Sequence, residues 1–192
     1  MKRAFLLLML CFLIFSGALA EEREEKTLEA IEFLFGYSWA DLRRNDDYIV
    51  YPLIVDFDLN LKPLLHKFNY YPEQLMQLQI EPFLSLVTSP DNNKTESGIS
   101  FLLKFGILPQ TSKIQPYLKA GLGIAYMTQE TQEQGTKFNF TEQAGAGFHY
   151  FLCDNTALTL EYRFRHLSNA DMEEPNAGIN SDQVIGGITY QF

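Results

Sequence analysis

The chain has 192 residues, a formal net charge of −9 and a hydrophobic fraction of 46%. This length is typical of a single domain. Aromatic residues make up 14% of the chain and the mean hydropathy is −0.11, which excludes both an aromatic-poor disordered protein and a bundle of membrane helices.

The first 20 residues have the pattern of a secretory signal peptide. Lys2 and Arg3 precede an apolar run over 4–15, and small residues over 16–20 resemble a cleavage site. A retained membrane anchor is the weaker alternative, because glutamates follow at once from Glu21. Removal of this segment takes away two basic and no acidic side chains, so the mature chain is more acidic still, and nucleic acid is not expected as a partner.

Residues 21–34 are expected to form an N-terminal periplasmic segment, whose charged first part is either a short helix or a frayed arm. Residues 35–192 then form a single barrel domain. Cys153 is the one cysteine outside the signal peptide, so the sequence predicts no intramolecular disulfide. It predicts no metal site and no cofactor, since neither a metal-ligand spacing nor a phosphate-binding loop is present.

From residue 35 onward, apolar side chains recur at every second position, which is the period of a strand with one buried face. The pattern predicts eight strands, over residues 35–40, 48–61, 77–87, 96–108, 115–126, 138–151, 157–166 and 183–192. Three residues break the alternation. Phe83 and Leu102 are apolar residues on polar faces, and Glu142 lies on the apolar face near one end of its strand.

Eight strands with one apolar and one polar or small face predict an antiparallel transmembrane β-barrel of the bacterial outer membrane. A soluble lipocalin-like barrel or sandwich has the same period and is the alternative. The charged face favours the membrane barrel, because a lumen can hold an ion-paired plug that a dry core cannot. The aromatic C-terminus at Phe192 also favours it. The predicted plug consists of Glu81, Lys104, Glu161, Arg163 and Arg165.

The strand over 157–166 carries the feature most relevant to chemistry. Leu158 to Phe164 alternate toward lipid, and the same parity brings His166 and Ser168 onto the outer wall of the barrel. Residues two apart on a strand are about 6 to 7 Å apart, so the imidazole could reach the hydroxyl. With both termini in the periplasm, this strand ends at the cell surface and residues 169–182 form an external loop.

The run Arg165-His166-Leu167-Ser168-Asn169-Ala170, followed by Pro175-Asn176-Ala177-Gly178-Ile179-Asn180, resembles the outer-membrane lipid A 3-O-deacylases, which are PagL-like acyloxyacyl hydrolases. The strong part of this resemblance covers residues 163–182. The rest of the chain agrees in topology only, through the signal peptide, the eight strands and the aromatic C-terminus.

The resemblance implies a serine esterase whose active site lies on the barrel exterior. It assigns Ser168 as the nucleophile, His166 as the general base and Asn169 as a donor to the oxyanion, while Asn176 shapes the site. Asn180 stands where the family pattern has the glutamate that orients the histidine. We expect the Asn180 amide to take that role, with Asp182 in reserve.

The expected function is hydrolysis of the 3-O-linked hydroxyacyl chain of lipid A in the outer leaflet of a Gram-negative outer membrane. The expected partner is lipid A or lipopolysaccharide, and a homodimer is left open. The alternative is a barrel without enzymatic activity. Such a barrel would be either a structural or adhesive surface protein, or a lipid A-binding member that has lost turnover through Asn180.

Overall fold

The computed structural model describes residues 27–42, 47–88, 94–128 and 131–192. The predicted signal peptide, residues 1–20, lies outside the described residues, as does the beginning of the predicted segment 21–34. The strands are β1 Leu28–Asp41, β2 Asp47–Asn60, β3 Gln74–Thr88, β4 Lys94–Pro109, β5 Ile114–Met127, β6 Phe138–Cys153, β7 Thr156–Ser168 and β8 Ile179–Gln191.

Each strand pairs antiparallel with its neighbours in sequence, and β1 pairs with β8 to close the barrel. This confirms the predicted eight-stranded architecture. The connections β1–β2, β3–β4, β5–β6 and β7–β8 lie at one end, which we call the loop end. The other end carries the short helix α1, Lys62–His66. No helix among the described residues is long and apolar enough to cross a membrane.

Two strands begin at least four residues earlier than the sequence predicts, and both differences have the same cause. β1 begins at Leu28 instead of residue 35, because Glu32 and Leu34 face the lumen, so much of the predicted periplasmic segment is strand. β8 begins at Ile179 instead of residue 183, because Ile179 and Ser181 face the lumen and pair with β7. Asn180 therefore lies in a strand and not in a loop.

The lumen is filled by the predicted ion-paired plug. Arg163 contacts Glu81 at 2.5 Å and Glu161 at 2.6 Å, and Lys119 contacts Glu161 at 2.8 Å. Further ion pairs join Arg165 to Glu96 and Lys104 to both Glu32 and Asp58. A cavity beside Arg163 has a volume of about 10 Å³, close to the space that one water molecule needs. The lumen is thus a packed polar core.

Apolar lumen residues cover this plug at the loop end. Val50, Val87, Met127, Leu167 and Ile179 are buried there in one cluster, against which Phe83 packs. The two apolar exceptions of the sequence pattern are thereby explained: Phe83 joins this cluster, and Leu102 is fully buried. On the outer wall the large apolar side chains are exposed, as the surface of a barrel in lipid requires.

Candidate functional site

His166 and Ser168 lie on the outer wall of β7 at the loop end. Leu158, Tyr162 and Phe164 precede them on the same face and are 43–52% exposed, whereas Arg163 and Arg165 alternate into the lumen. His166 and Ser168 are half-buried, and Gly178 of the β7–β8 connection lies beside the imidazole. The outward position predicted from parity therefore agrees with the structure.

Asn180 lies directly opposite His166 in the β7–β8 register. The imidazole Nδ1 and the amide Oδ1 of Asn180 are 2.6 Å apart. Because an amide oxygen can only accept a hydrogen bond, Nδ1 is the protonated nitrogen. The contact leaves the lone pair on Nε2, which is the tautomer that a general base needs.

Ser168 is the neighbour of His166 on the same face, two residues further along β7. On β6 it lies opposite Phe140 in register. Among the residues that the structure describes, none forms a hydrogen bond with the Ser168 hydroxyl, the His166 imidazole included. The pair is therefore adjacent without a formed contact, as is common for catalytic hydrogen bonds before substrate binds.

The connection from residue 169 to residue 178 is held together by two asparagines. The Asn169 backbone N–H donates to Asn176 Oδ1 at 2.9 Å, and Asn176 Nδ2 donates to Asp171 at 2.8 Å. Asn169 is fully buried and its side-chain amide donates to the Glu173 carbonyl at 2.7 Å. The backbone N–H and the side-chain amide of Asn169 thus both form hydrogen bonds within the loop and are not directed at Ser168.

The β5–β6 connection supports this loop from the side. The Gly135 N–H donates to the Pro175 carbonyl at 2.6 Å, and the Ala177 N–H donates to the Glu133 carbonyl at 2.8 Å. An isolated bridge joins Gln134 to Asn176. Two loops that are distant in sequence therefore form one layer over the end of β7.

Gly178 closes the site against the imidazole. Its φ is +75°, which L side chains rarely adopt, and a Cβ added there would lie 2.5 Å from His166 Cε1. The sequence motif contains this glycine, but its contact with the histidine depends on the loop conformation. Gly178 is thus a site residue that sequence reasoning did not identify.

Two carboxylates flank the site on the outer wall. Asp182, the reserve candidate, accepts a hydrogen bond from the Tyr162 hydroxyl and does not contact His166. Glu142 of β6 lies opposite His166 on the side away from Asn180. The sequence pattern marked Glu142 only as an exception, because cross-strand register is needed to see this proximity.

The remaining histidines and acidic groups lie elsewhere. His149 is buried in the lumen, as its parity predicts, and His66 ends α1 at the far end of the barrel. Within the described ranges, one group of carboxylates is close enough to hold a metal ion, namely Glu32, Asp56 and Asp58 in the lumen. The Lys104 ammonium contacts two of the three and already supplies a positive charge there.

Comparison with known proteins confirms the family resemblance. A family model described as "Lipid A 3-O-deacylase (PagL)" matches residues 56–189. The "Lipid A deacylase PagL" of Pseudomonas aeruginosa is 29% identical over 94 residues, which are 47% of this chain and 52% of that protein. The chain therefore spans about half the length of this relative in the match.

Solved structures show the same fold. The crystal structure of the outer membrane enzyme PagL has a TM-score of 0.59 at 16% identity, covering 83% of this chain and 99% of that one. The crystal structure of Neisserial surface protein A has a TM-score of 0.63 at 12% identity, covering 85% and 96%. The fold is accordingly that of an outer-membrane β-barrel, and the soluble alternative is set aside.

Proposed function

Because the chain belongs to the lipid A 3-O-deacylase (PagL) family, we propose that it hydrolyses the 3-O-linked hydroxyacyl ester of lipid A by a serine–histidine mechanism. The observation that carries the proposal is the 2.6 Å contact between His166 Nδ1 and Asn180 Oδ1, with Ser168 two residues away on the same outward face. An outward site at the loop end would meet acyl chains in the outer leaflet of a Gram-negative outer membrane.

The mechanism follows from the tautomer. His166 Nε2 takes the Ser168 proton while Oγ attacks the ester carbonyl, and the protonated imidazole then gives that proton to the departing position-3 oxygen. Water, activated by the same nitrogen, hydrolyses the acyl-enzyme and restores Ser168. No cofactor takes part in these steps.

Stabilisation of the oxyanion is assigned to amide donors around Asn169, with Asn176 shaping the loop. The donors of Asn169 are engaged inside the loop, at 2.9 Å from its backbone N–H to Asn176 and 2.7 Å from its side chain to Glu173. The proposal therefore requires that substrate binding free one of these donors toward Ser168.

A second candidate function is a lipid A-binding or structural and adhesive barrel without turnover. It is favoured by Asn180, because a neutral amide fixes the tautomer without stabilising an imidazolium, and the corresponding change in a serine protease costs about 10⁴-fold in turnover. A homodimer has no support in these comparisons.

Mass spectrometry of lipid A from Gram-negative cells expressing the wild-type protein tests the proposal. We expect loss of one hydroxyacyl chain with the wild type and full acylation with Ser168→Ala. The matched control is Ser97→Ala, which removes another outward-facing serine at the loop end of the barrel, on β4, and should retain activity. If lipid A is unchanged although the wild-type barrel is folded, the hydrolase proposal is wrong and the binding or structural function remains.

A further inference from the structure

The outer wall beside the site carries a carboxylate that the mechanism has not yet used. Glu142 lies on β6 in direct register with His166, while Asn180 occupies the other side on β8. Directly opposed residues of antiparallel strands have Cβ atoms about 4.5 to 5.5 Å apart. The imidazole of His166 is therefore flanked by an amide on one side and a carboxylate on the other.

The Glu142 side chain takes no part in the described contacts that hold the barrel together. Its side chain is exposed, and among the described residues none forms a hydrogen bond or ion pair with its carboxylate. Its neighbours along the outward face are Phe140 and Ala144, and Leu122 lies opposite on β5. A charge on the lipid-facing wall is unfavourable away from the interface, and Glu142 lies near the loop end of β6, in register with His166.

Other charges near His166 are directed elsewhere. On β8, Asp182 accepts a hydrogen bond from the Tyr162 hydroxyl. On β7, Arg165 faces the lumen and pairs with Glu96 at 2.9 Å. In the covering loops, Asp171 accepts a hydrogen bond from Asn176. Glu133 and Glu173 contribute backbone carbonyls to the contacts between the loops, and the side chains of Glu173 and Glu174 are exposed. Glu142 is thus the carboxylate that β6 presents to the imidazole.

We propose that Glu142 is a positioning residue that stabilises the His166 imidazolium by its negative charge, while Asn180 holds the ring tautomer. This inference rests on the proposed serine–histidine function and deepens it. The role that the family pattern gives to one glutamate at position 180 is divided here between two strands. No proton is transferred to Glu142, so the bond-making steps are unchanged.

The test is a double-mutant cycle on the purified full-length barrel in detergent micelles, with hydrolysis of lipid A followed as kcat/KM. Glu142→Gln should lower kcat/KM about 10- to 100-fold, which lies within the roughly 4- to 300-fold range that a charge at about 5 Å gives between aqueous and protein-like screening. The loss should fall on kcat. Asn180→Glu should raise activity, and in that background Glu142→Gln should cost less than about threefold.

The controls separate charge from structure. Glu142→Asp should retain much of the activity, and Glu142→Ala should behave like Glu142→Gln. Glu73→Gln removes the same charge from an exposed residue at the opposite end of the barrel and should leave kcat/KM unchanged, which controls for the loss of one negative charge from the protein. Heat-dependent gel mobility shows that each variant is folded. An equal cost of Glu142→Gln in both backgrounds, or no cost in either, would overturn the proposal.

A second readout distinguishes failure of this inference from failure of the proposed substrate. A fluorophosphonate probe labels an activated serine without requiring lipid A, and Ser168→Ala defines the background. If lipid A is not hydrolysed but labelling slows tenfold with Glu142→Gln, the substrate assignment is wrong and the role of Glu142 stands. If labelling is unaffected by Glu142→Gln, or Ser168 is never labelled even with Asn180→Glu, the role of Glu142 is refuted.

Discussion

At the scale of single residues, parity along one strand was enough to predict where His166 and Ser168 lie. A strand alternates its side chains regardless of what surrounds it, so counting from exposed Leu158 placed both residues on the outer wall. Parity gives no information across strands or loops. The contacts of His166 with Asn180 and Gly178, and its proximity to Glu142, follow from register and from the loop path.

Gly178→Ala is expected to lower kcat/KM for lipid A about 100-fold while the barrel stays folded. The added Cβ would lie 2.5 Å from His166 Cε1, so the ring or the loop must move by about 1 Å to reach ordinary contact, and such a shift in a catalytic group can cost about 10²-fold. Kinetics with purified protein would measure the loss.

Gly186→Ala is the control for that variant. Its added Cβ would lie 3.5 Å from the Thr159 carbonyl oxygen, which is ordinary contact, so activity should be retained. Wild-type activity in Gly178→Ala would show that the glycine does not fix the imidazole.

At the scale of elements, the sequence predicted the number and order of the strands but placed the starts of two of them at least four residues too late. Ile179 continues the alternation of β8 toward the loop end, yet Gly178 and the polar residues around it read as loop. Pairing with β7 makes this segment a strand, because Ile179 pairs with Leu167 and Ser181 pairs with Arg165. This early start is what brings Asn180 into register with His166.

Asn176→Ala is expected to loosen the loop over residues 169–178 without affecting the barrel. The change removes the acceptor for the Asn169 N–H and the donor to Asp171. Loss of one such hydrogen bond, about 1 to 1.5 kcal/mol, should speed hydrogen exchange of the Asn169 amide about tenfold, which mass spectrometry or NMR can follow.

Asn176→Asp is the matched control for the loop, because it keeps a side-chain oxygen as acceptor for the Asn169 N–H. Asn169 should then remain protected, while the contact with Asp171 is replaced by repulsion between two carboxylates. Equal exchange in wild type and Asn176→Ala would mean that other contacts hold the loop.

At the scale of the whole molecule, the period-two pattern and the charged face predicted a closed barrel with an ion-paired lumen. The pattern also identified several of the charged residues in the plug, among them Arg163 and Glu81. It could not assign partners, because these depend on the stagger between strands far apart in sequence. Glu32 was missed as a lumen residue, since it lies in a segment predicted to precede the barrel.

Arg163→Met is expected to destabilise the barrel by about 3 to 5 kcal/mol, because buried Glu81 and Glu161 would then share the single positive charge of Lys119 among their described ion pairs. The midpoint of urea unfolding, followed by gel mobility, measures the change. Arg163→Lys keeps the charge and loses the paired geometry, so it should cost less. An unchanged midpoint for Arg163→Met would show that solvent or neighbouring groups compensate for the lost guanidinium.

The proposed reaction centre lies on the outside of a filled barrel and occupies only one sector of its circumference. Because the plug leaves no passage through the lumen, a lipid drifting in the plane of the bilayer can reach Ser168 only from the direction that β6, β7 and β8 face. A membrane protein that binds to this sector would inhibit the proposed enzyme by blocking access of lipid to Ser168, although every reacting group would remain intact.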